Sequence, residues 1–242
     1  DVPGDDPSVI ASGPTVADNT TLADALKVIA KYSIGIPDEV RAHLEKPESE
    51  TPKPGDTVFD GNRYVLIARP ADMVAAVAEA GRRMGYEVVS LGADIEGEAR
   101  EVGEAQAEMA LKIAEQMKPD AKPVLIVSGG ETTVTVDKPG GRGGRDCEYL
   151  LALAVALDGH PGICALACDT DGIDGSEDNA GAIIDPATLY RAEARGLKPK
   201  DYLAAHDSYS LFSATGDLVV TGPTLTNVND LRLILITPPK AF

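Results

Sequence analysis

The stretch Ser128-Gly-Gly-Glu-Thr-Thr-Val-Thr-Val-Asp137, followed by the glycine loop Gly140-Gly-Arg-Gly-Gly-Arg145, decides the fold of this chain. An apolar run over residues 123–127 leads into it and is typical of a buried strand that ends at the first two glycines. A helical pattern over residues 146–157 follows the loop directly. The order of strand, glycine loop and helix start predicts an α/β fold, and α/β proteins build anion sites in this way.

The residue types of this stretch favour binding of a phosphate or a carboxylate. Glycine lets the backbone approach a ligand closely, and successive N–H groups can form an anion-binding concavity. Arg142 and Arg145 can clamp an anion in bidentate fashion. The candidate binding residues are Gly129, Gly130, Thr132, Thr133, Arg142, Gly143 and Gly144. Glycine loops also occur as plain hairpin connections, and this spacing matches neither the Walker pattern nor the dinucleotide fingerprint.

Composition excludes several classes of partner. The chain has 242 residues and a formal charge of −17, a length that suits one large domain or two small ones. The acidic balance argues against nucleic acid or an anionic membrane as a partner. The cysteines, Cys147, Cys164 and Cys168, are predicted to be free thiols, which fits a reducing cytoplasm.

Alternating strand and helix patterns predict a largely parallel sheet with helices on both faces. The strand patterns cover residues 64–68, 87–91, 123–127, 163–168 and 231–236, and the helix patterns cover 22–32, 70–84, 96–117, 146–157, 185–195 and 198–205. In such sheets, ligands gather at the carboxyl ends of the strands. Residues 46–56, rich in Pro, Glu and Thr, are the best candidate for a domain boundary. No strand precedes the first acidic residues, so we expect a fragment of a longer polypeptide.

The acidic turn Asp169-Thr-Asp-Gly-Ile-Asp-Gly175 follows a predicted strand and indicates a Mg²⁺ site, since carboxylates are the ligands of hard cations. The candidate metal ligands are Glu131, Asp169, Asp171 and Asp174. The spacing is not that of a calcium loop. An Asx-turn that uses its own backbone is the alternative.

Two further polar segments are candidate binding sites. Near the start, Asp5 and Asp6 precede Ser12-Gly-Pro-Thr15, so that Asp5, Asp6, Ser12, Gly13 and Thr15 could hold a metal or a sugar-acid hydroxyl, or form a solvated coil. Near the end, Asn227 could line a polar pocket or satisfy its own turn. The three histidines lack metal-ligand spacing and are predicted to be surface residues.

Read together, these motifs resemble the two-domain glycerate 2-kinases of the MOFRL type, many of which carry the label hydroxypyruvate reductase. The matching segments, in the same order, are residues 5–15, 128–136, 141–145, 169–175 and 221–230. The resemblance covers the whole chain. It implies that residues 1–55 are the end of an N-terminal Rossmann-like kinase domain, most of which is absent. Residues 56–242 would be a MOFRL-type α/β domain, with the active site between the two domains.

The resemblance also implies an activity: phosphorylation of glycerate to 2-phosphoglycerate with ATP and Mg²⁺. It assigns catalytic roles to Asp6 and Arg145, with Asp5 beside the substrate. The family usually has Gly-Gly-Arg-Asn-Gln-Glu where this chain has Gly143-Gly-Arg-Asp-Cys-Glu148. Here Asp146 and Cys147 replace two amides, which removes donors and adds a negative charge near the expected anion site.

Two other functions stay open. An NAD(P)H-dependent hydroxypyruvate reductase is the first, although no dinucleotide fingerprint is present. The second is a binding module, because the fragment alone is expected to be inactive. The implied partners are glycerate, ATP and the missing N-terminal domain of the same polypeptide, and a homodimer is compatible with this interpretation.

Overall fold

The computed structural model describes residues 4–136 and 140–239, and the chain divides into two compact units, Asp1–Ile67 and Ala68–Phe242. Asp137, at the end of the central stretch, lies outside the described residues. The predicted boundary over residues 46–56 falls within the first unit. The assignment of the two parts to a kinase domain and a MOFRL domain stays a prediction.

The first unit contains two helices, α1 (Leu22–Lys31) and α2 (Asp38–Leu44), and three short 3₁₀ helices. Helix α1 begins at a capping box, in which the Thr21 side chain accepts from the Asp24 backbone and Asp24 accepts from the Thr21 backbone, both at 3.2 Å. Such reciprocal bonds satisfy two orphan donors of a helix start. No residue among 4–67 is buried.

The second unit is a six-stranded sheet with helices on both faces. Its strands are β1 (Glu87–Ser90), β2 (Val124–Gly130), β3 (Ile163–Asp169), β4 (Gly181–Ile184), β5 (Leu218–Val219) and β6 (Asp230–Ile236). Its helices are α3 (Pro70–Arg83), α4 (Ala99–Gln116), α5 (Arg145–Leu157), α6 (Thr188–Glu193), α7 (Pro199–Ala204) and α8 (Ser208–Thr215). The α/β class and most predicted elements are therefore confirmed.

The prediction of a largely parallel sheet is wrong. The strand order is β1-β2-β6-β3-β4-β5, and among the described strands only the β1–β2 pair is parallel. Helix α5 does carry the chain from β2 to β3 in the same direction, as a crossover requires. However, β6 enters between these two strands and runs antiparallel to both, so the sheet is mixed.

The insertion of β6 decides which residues meet at the sheet edge. The carboxyl ends of β2 and β3 lie beside the amino end of β6, where Gly130 and Asp169 both pair with Asp230. A purely parallel sheet would place only the carboxyl ends of its strands at this edge. The edge therefore gains a carboxylate from the start of the last strand.

Residues 64–68 form no strand, contrary to the prediction, and Ile67 is 92% exposed. Strands β4 and β5 and helix α8 were not predicted. Their segments are short and lack a clear period, and β4 and β5 are stabilised by the sheet rather than by local propensity.

Helices α4 and α5 pack very closely on one face of the sheet. A side chain at Gly103 of α4 would place its Cβ 2.5 Å from the Tyr149 backbone oxygen of α5 and 3.3 Å from the Ala152 side chain. Helix α3 covers the other face, where its Val74 belongs to one buried cluster with Leu125 and Val127 of β2.

Among the described residues, every helix is too short or too polar to span a membrane.

Gly103→Ala is expected to lower the free energy of unfolding by about 1–2 kcal/mol, because overpacking typically costs about 1–3 kcal/mol and outweighs the gain in helix propensity of about 1 kcal/mol. Urea unfolding followed by circular dichroism measures the difference. Gly35→Ala is the control, because its Cβ would meet nothing within 4 Å. An unchanged or higher midpoint for Gly103→Ala would contradict the close packing of α4 on α5.

Candidate active site at the strand ends

Arg145 is the first residue of α5 and lies at the centre of a group of carboxylates. Its Nε is 2.8 Å from Asp230 Oδ1, its Nη2 is 2.7 Å from Asp169 Oδ2, and its Nη1 is 3.3 Å from Glu131 Oε1. The side chain is 23% exposed. Each of its three nitrogens thus faces a carboxylate, and the guanidinium is held in one orientation at the edge of the site.

A second arginine lies behind the first. Arg232 of β6 is buried, and its Nη2 donates to Asp230 Oδ2 at 2.6 Å and to Thr132 Oγ1 at 3.2 Å. Its Nε is 3.8 Å from Asp146 Oδ1. Asp230 therefore bridges the two arginines, and its carboxylate has no contact with solvent.

Burial dominates the titration of these groups. Burial raises the pKa of Asp169 to about 6, although the Asp171 backbone N–H and Arg145 both lower it. Burial and the charges of Asp230 and Asp174 raise the pKa of Asp146 well above its usual range. Among the described residues, neither carboxyl oxygen of Asp146 has a hydrogen-bond partner. Burial and the neighbouring carboxylates thus disfavour the charged form of Asp146, the residue that adds a carboxyl group near the expected anion site.

Contacts within the protein require three glycines of the loop, Gly141, Gly143 and Gly144, whereas a Cβ at Gly140 would meet nothing within 4 Å. A Cβ at Gly141 would lie 2.2 Å from the Ala205 oxygen, one at Gly143 would lie 2.5 Å from Ser208 Oγ, and one at Gly144 would lie 2.0 Å from Asp174 Oδ1. Gly129 and Gly130 likewise face Val74 and the Ile95 backbone. Close packing of protein segments explains all five glycines without a ligand, although ligand binding at Gly129, Gly130, Gly143 and Gly144 stays a prediction.

The start of α5 is capped from within the protein. Asp174 accepts hydrogen bonds from the backbone N–H groups of Asp146 at 3.0 Å and Cys147 at 2.9 Å. We expected these groups to bind a ligand anion, and the structure gives them a protein carboxylate instead. Each oxygen of Asp174 thus accepts one of these hydrogen bonds.

Arg142 lies apart from Arg145 in its contacts. Its Nη2 is 2.5 Å from Glu177 Oε2, and its guanidinium lies over the Tyr209 ring at 4.4 Å. The side chain is 54% exposed. The two arginines contact different carboxylates, and their joint binding of one anion stays a prediction.

The acidic turn uses its own backbone, as the Asx-turn alternative proposed. Asp169 Oδ1 accepts from the Asp171 N–H at 3.0 Å, and Asp171 Oδ1 accepts from the Ile173 N–H at 2.8 Å. Within residues 4–136 and 140–239, no group of three or more Asp, Glu, His or Cys residues could hold a metal ion. Glu131 and Asp169 share Arg145, but with Asp171 and Asp174 they do not form a direct metal centre.

The candidates of the first unit form a separate polar turn. Asp6 Oδ1 accepts from both the N–H and the hydroxyl of Ser8 at 2.8 Å, and these bonds lower the pKa of its carboxyl. Asp5 and Ser12 have positive φ values of 56° and 62°. The Ser12, Gly13 and Thr15 segment lines a cavity of about 650 Å³ in this unit. Asp6 is thus an exposed carboxylate that can accept a hydrogen bond.

The remaining candidates make local contacts. Thr133 bonds Gly97 and Glu98, at 3.3 and 3.2 Å from its hydroxyl, and Thr132 accepts from Arg232. Asn227 Oδ1 accepts from the Asn229 N–H at 2.9 Å in an exposed turn. These contacts satisfy the turns themselves, and a binding role for Thr132, Thr133 or Asn227 stays a prediction.

Five residues of the site were not predicted: Arg100, Glu148, His206, Asp230 and Arg232. His206 was expected on the surface, but its side chain is 10% exposed and its Nδ1 is 3.1 Å from Glu148 Oε1, which also pairs with Arg100. Glu148, His206 and Arg145 line a cavity of about 250 Å³ together with the glycine loop. The sequence does contain a signal for Arg232, because a charged residue within the apolar strand pattern of residues 231–236 must have a partner when it is buried.

Comparison with known proteins identifies the family. The MOFRL family model matches residues 124–230, which include Arg145, Asp169 and Asp230, and a domain of unknown function, DUF4147, matches residues 1–45. A glycerate kinase of Macaca fascicularis is 30% identical over 98% of this chain and 71% of its own length. The chain belongs to the MOFRL-containing glycerate kinase family. The resemblance found from the sequence motifs is thereby confirmed.

Two bacterial relatives are more similar to this chain than the Macaca fascicularis protein is. A putative hydroxypyruvate reductase of Agrobacterium vitis is 54% identical over 98% of this chain and 53% of its own length. A D-glycerate 2-kinase of Thermotoga maritima is 38% identical over 98% of this chain and 55% of its own length. The chain thus spans about half the length of these relatives.

The fold agrees with a solved structure. The crystal structure of a glycerate kinase from Thermotoga maritima has a TM-score of 0.84 and 37% identity, and the match covers 98% of this chain and 55% of that one. The mixed sheet and its flanking helices are therefore those of this family.

The Asp169 carboxyl is expected to titrate near pH 6, since burial raises its pKa to about 6. Carbon-13 NMR of aspartate side chains measures the midpoint, and Asp169→Asn assigns the signal. Because the folded state keeps this proton to a higher pH than the unfolded state, the free energy of unfolding falls as the pH rises from about 4 to about 6. In Asp169→Asn, the contribution of this carboxyl group to the pH dependence of the free energy of unfolding is absent. A midpoint near the ordinary 3.8 would refute the assignment.

Asp174→Ala is expected to lower the free energy of unfolding by about 1–2 kcal/mol, because the first N–H groups of α5 lose their acceptor. Chemical denaturation measures the loss. Asp178→Ala, which removes one exposed hydrogen bond to Tyr209, is the matched control in the same turn and should change stability by less than about 0.5 kcal/mol. Equal effects of the two variants would show that the cap is unimportant.

Proposed function

We propose that the polypeptide containing this chain phosphorylates glycerate at its 2-hydroxyl group, with ATP supplied as its magnesium complex. The observation that carries the proposal is the fixed orientation of Arg145 at the strand ends, in a family whose relatives are named glycerate kinases. Phosphoryl transfer depends on positioning and charge neutralisation more than on covalent chemistry. A guanidinium held at three points supplies both.

The charge of the site favours a ligand that brings a cation. Three carboxylates, those of Glu131, Asp169 and Asp230, face the guanidinium of Arg145, so negative groups outnumber it there. Burial alone would lower its pKa, but Asp230 and Asp169 raise it, so the guanidinium stays charged. A free anion would meet the surrounding carboxylates, whereas a nucleotide bound to Mg²⁺ carries its own counter-charge. Glu131, whose side chain is 37% exposed, is the carboxylate most open to it.

The roles of the chain's own residues follow from their chemistry. Arg145 neutralises charge on the transferred phosphoryl group or on the glycerate carboxylate. Asp6 orients the attacking hydroxyl by accepting its hydrogen bond. The lowered pKa of Asp6 suits this role better than abstraction of the proton, because a weaker base holds a proton less tightly at neutral pH. The three free cysteines fit a cytoplasmic enzyme.

An NAD(P)H-dependent hydroxypyruvate reductase is the second candidate, favoured by the name of the Agrobacterium vitis relative. Dinucleotide-binding folds place a pyrophosphate at a helix N-terminus after a strand. In this chain, Asp174 occupies that position at α5 and would repel a pyrophosphate. This observation favours the kinase.

The test is ADP release by the complete polypeptide with D-glycerate and Mg-ATP, with a parallel assay of NAD(P)H consumption with hydroxypyruvate. Enolase distinguishes the 2-phosphate product from the 3-phosphate. We expect ADP release that depends on glycerate and yields 2-phosphoglycerate. NAD(P)H consumption without ADP release would overturn the proposal. Calorimetric titration of glycerate into the 242-residue chain tests the binding-module alternative.

Arg145→Ala is expected to lower kcat/KM by about 10²–10³-fold, the usual effect of removing one group that stabilises transition-state charge. Steady-state kinetics of the complete polypeptide measures the loss. Arg195→Ala is the control, because in the described residues the Arg195 side chain bonds only the Arg191 backbone oxygen, and it should retain wild-type turnover. Near-normal turnover of Arg145→Ala would remove Arg145 from the reaction.

A further inference from the structure

Arg232 occupies an unusual position for a charged residue. It is the third residue of β6, the strand inserted between β2 and β3, and its side chain has no exposed surface. Its face of the strand also carries Ile234 and Ile236, which belong to the main hydrophobic core. Burial of an arginine is strongly unfavourable unless its charge is paired. Its contacts must therefore explain its presence.

Arg232 and Arg145 contact the same carboxylate, that of Asp230. Arg232 Nη2 donates to Asp230 Oδ2 at 2.6 Å and to Thr132 Oγ1 at 3.2 Å, and its guanidinium lies 5.4 Å from the centre of the Tyr149 ring. In the described part of the chain, its Nε and Nη1 have no hydrogen-bond partner, although Asp146 Oδ1 is 3.8 Å from Nε. Since Arg232 is fully enclosed, its link to Arg145 runs through Asp230, whose carboxylate contacts both arginines.

Asp230 transmits the position of Arg232 to Arg145. Both oxygens of Asp230 lie close to Arg145 Nε, at 2.8 and 3.0 Å. A guanidinium is a rigid planar fork, so a fixed Nε also fixes the directions of its two Nη atoms. Rotation of the Asp230 carboxylate would therefore remove the contact that holds Nε, one of the three nitrogens by which Arg145 is held.

We propose that Arg232 is a positioning residue, which holds the Asp230 carboxylate and thereby fixes the direction of Arg145. Its importance for turnover rests on the proposed function. The effect on Arg145 itself does not, and it can be measured without substrate.

The first experiment observes Arg145 directly. In the 242-residue chain labelled with ¹⁵N-arginine, the Arg145 Nε–H signal is assigned by its loss in Arg145→Lys. In Arg232→Lys, which keeps the charge but loses the planar fork, this signal should shift and exchange with solvent at least 10-fold faster. Arg195→Lys, an exposed substitution of the same kind, should leave it unchanged. An unaltered Arg145 signal in folded Arg232→Lys would overturn the proposal.

A second variant covers the case in which Arg232→Lys does not fold. Arg232→Gln keeps one donor towards Asp230 without the charge, and the same acceleration of Arg145 exchange is expected. If Arg145 exchange is unchanged in the variant that folds, the proposal fails.

The kinetic test is a double-mutant cycle in the complete polypeptide, with kcat/KM for glycerate measured for Arg232→Lys, Arg145→Lys and the double variant. Arg232→Lys should lower kcat/KM about 10-fold in the wild type and less than 2-fold when Arg145 is already replaced. Equal factors in both backgrounds would show a general structural role and overturn the proposal. If the enzyme is not a kinase, neither the wild type nor any variant of the cycle turns over glycerate. The NMR result still decides whether Arg232 fixes the position of Arg145.

Discussion

The hydrogen-bonded ion pair between Asp230 and Arg145 is the interaction on which the strand-end site depends. It joins the amino end of β6 to the amino end of α5, with Nε of the arginine 2.8 and 3.0 Å from the two carboxylate oxygens. Asp169 and Glu131 then contact the two remaining nitrogens. Without Asp230, Arg145 would lose the contact that sets its direction, and the carboxylates of β3 and of the segment after β2 would share an unconstrained cation.

The surroundings of this pair are acidic and largely enclosed. Asp146, Asp230 and Arg232 have no exposed side-chain surface, and Asp169 has little. Buried ion pairs contribute little net stability, because desolvation offsets their attraction. The same enclosure raises the pKa of Asp146 and Asp169 and thus reduces the repulsion within the cluster. The cluster therefore fixes the orientation of Arg145 and adds little to the stability of the fold.

The glycine loop has a different physical meaning from the one that its composition indicates. Glycine permits close approach of any neighbour, and here the neighbours are the 205–208 segment and Asp174. Asp174 also fills the anion position at the start of α5. The loop therefore packs α5 against the acidic turn, and ligand contacts at this edge depend on Arg145 more than on free backbone donors.

The sequence by itself determined the family, the α/β class and the positions of most helices and strands. Val124 to Val127 form an unbroken apolar run that can only be buried, and Thr21 and Asp24 start α1 through contacts within one turn. Arg145 was identifiable because its motif stands between a strand and a helix. These features depend on residues close together in the chain, and local periodicity and capping chemistry report on them directly.

Only the tertiary structure decided the mixed sheet and the composition of the site. The place of β6 between β2 and β3 joins residues that are 61 to 112 positions apart in the chain, from the pairing of Asp169 with Asp230 to that of Val124 with Ile236. No local pattern encodes that pairing, because a strand's hydrophobic period specifies its buried faces and not its neighbours. Asp230 and Arg232 could therefore be read from the sequence as the start of a strand, but their contact with Arg145 follows from the fold alone.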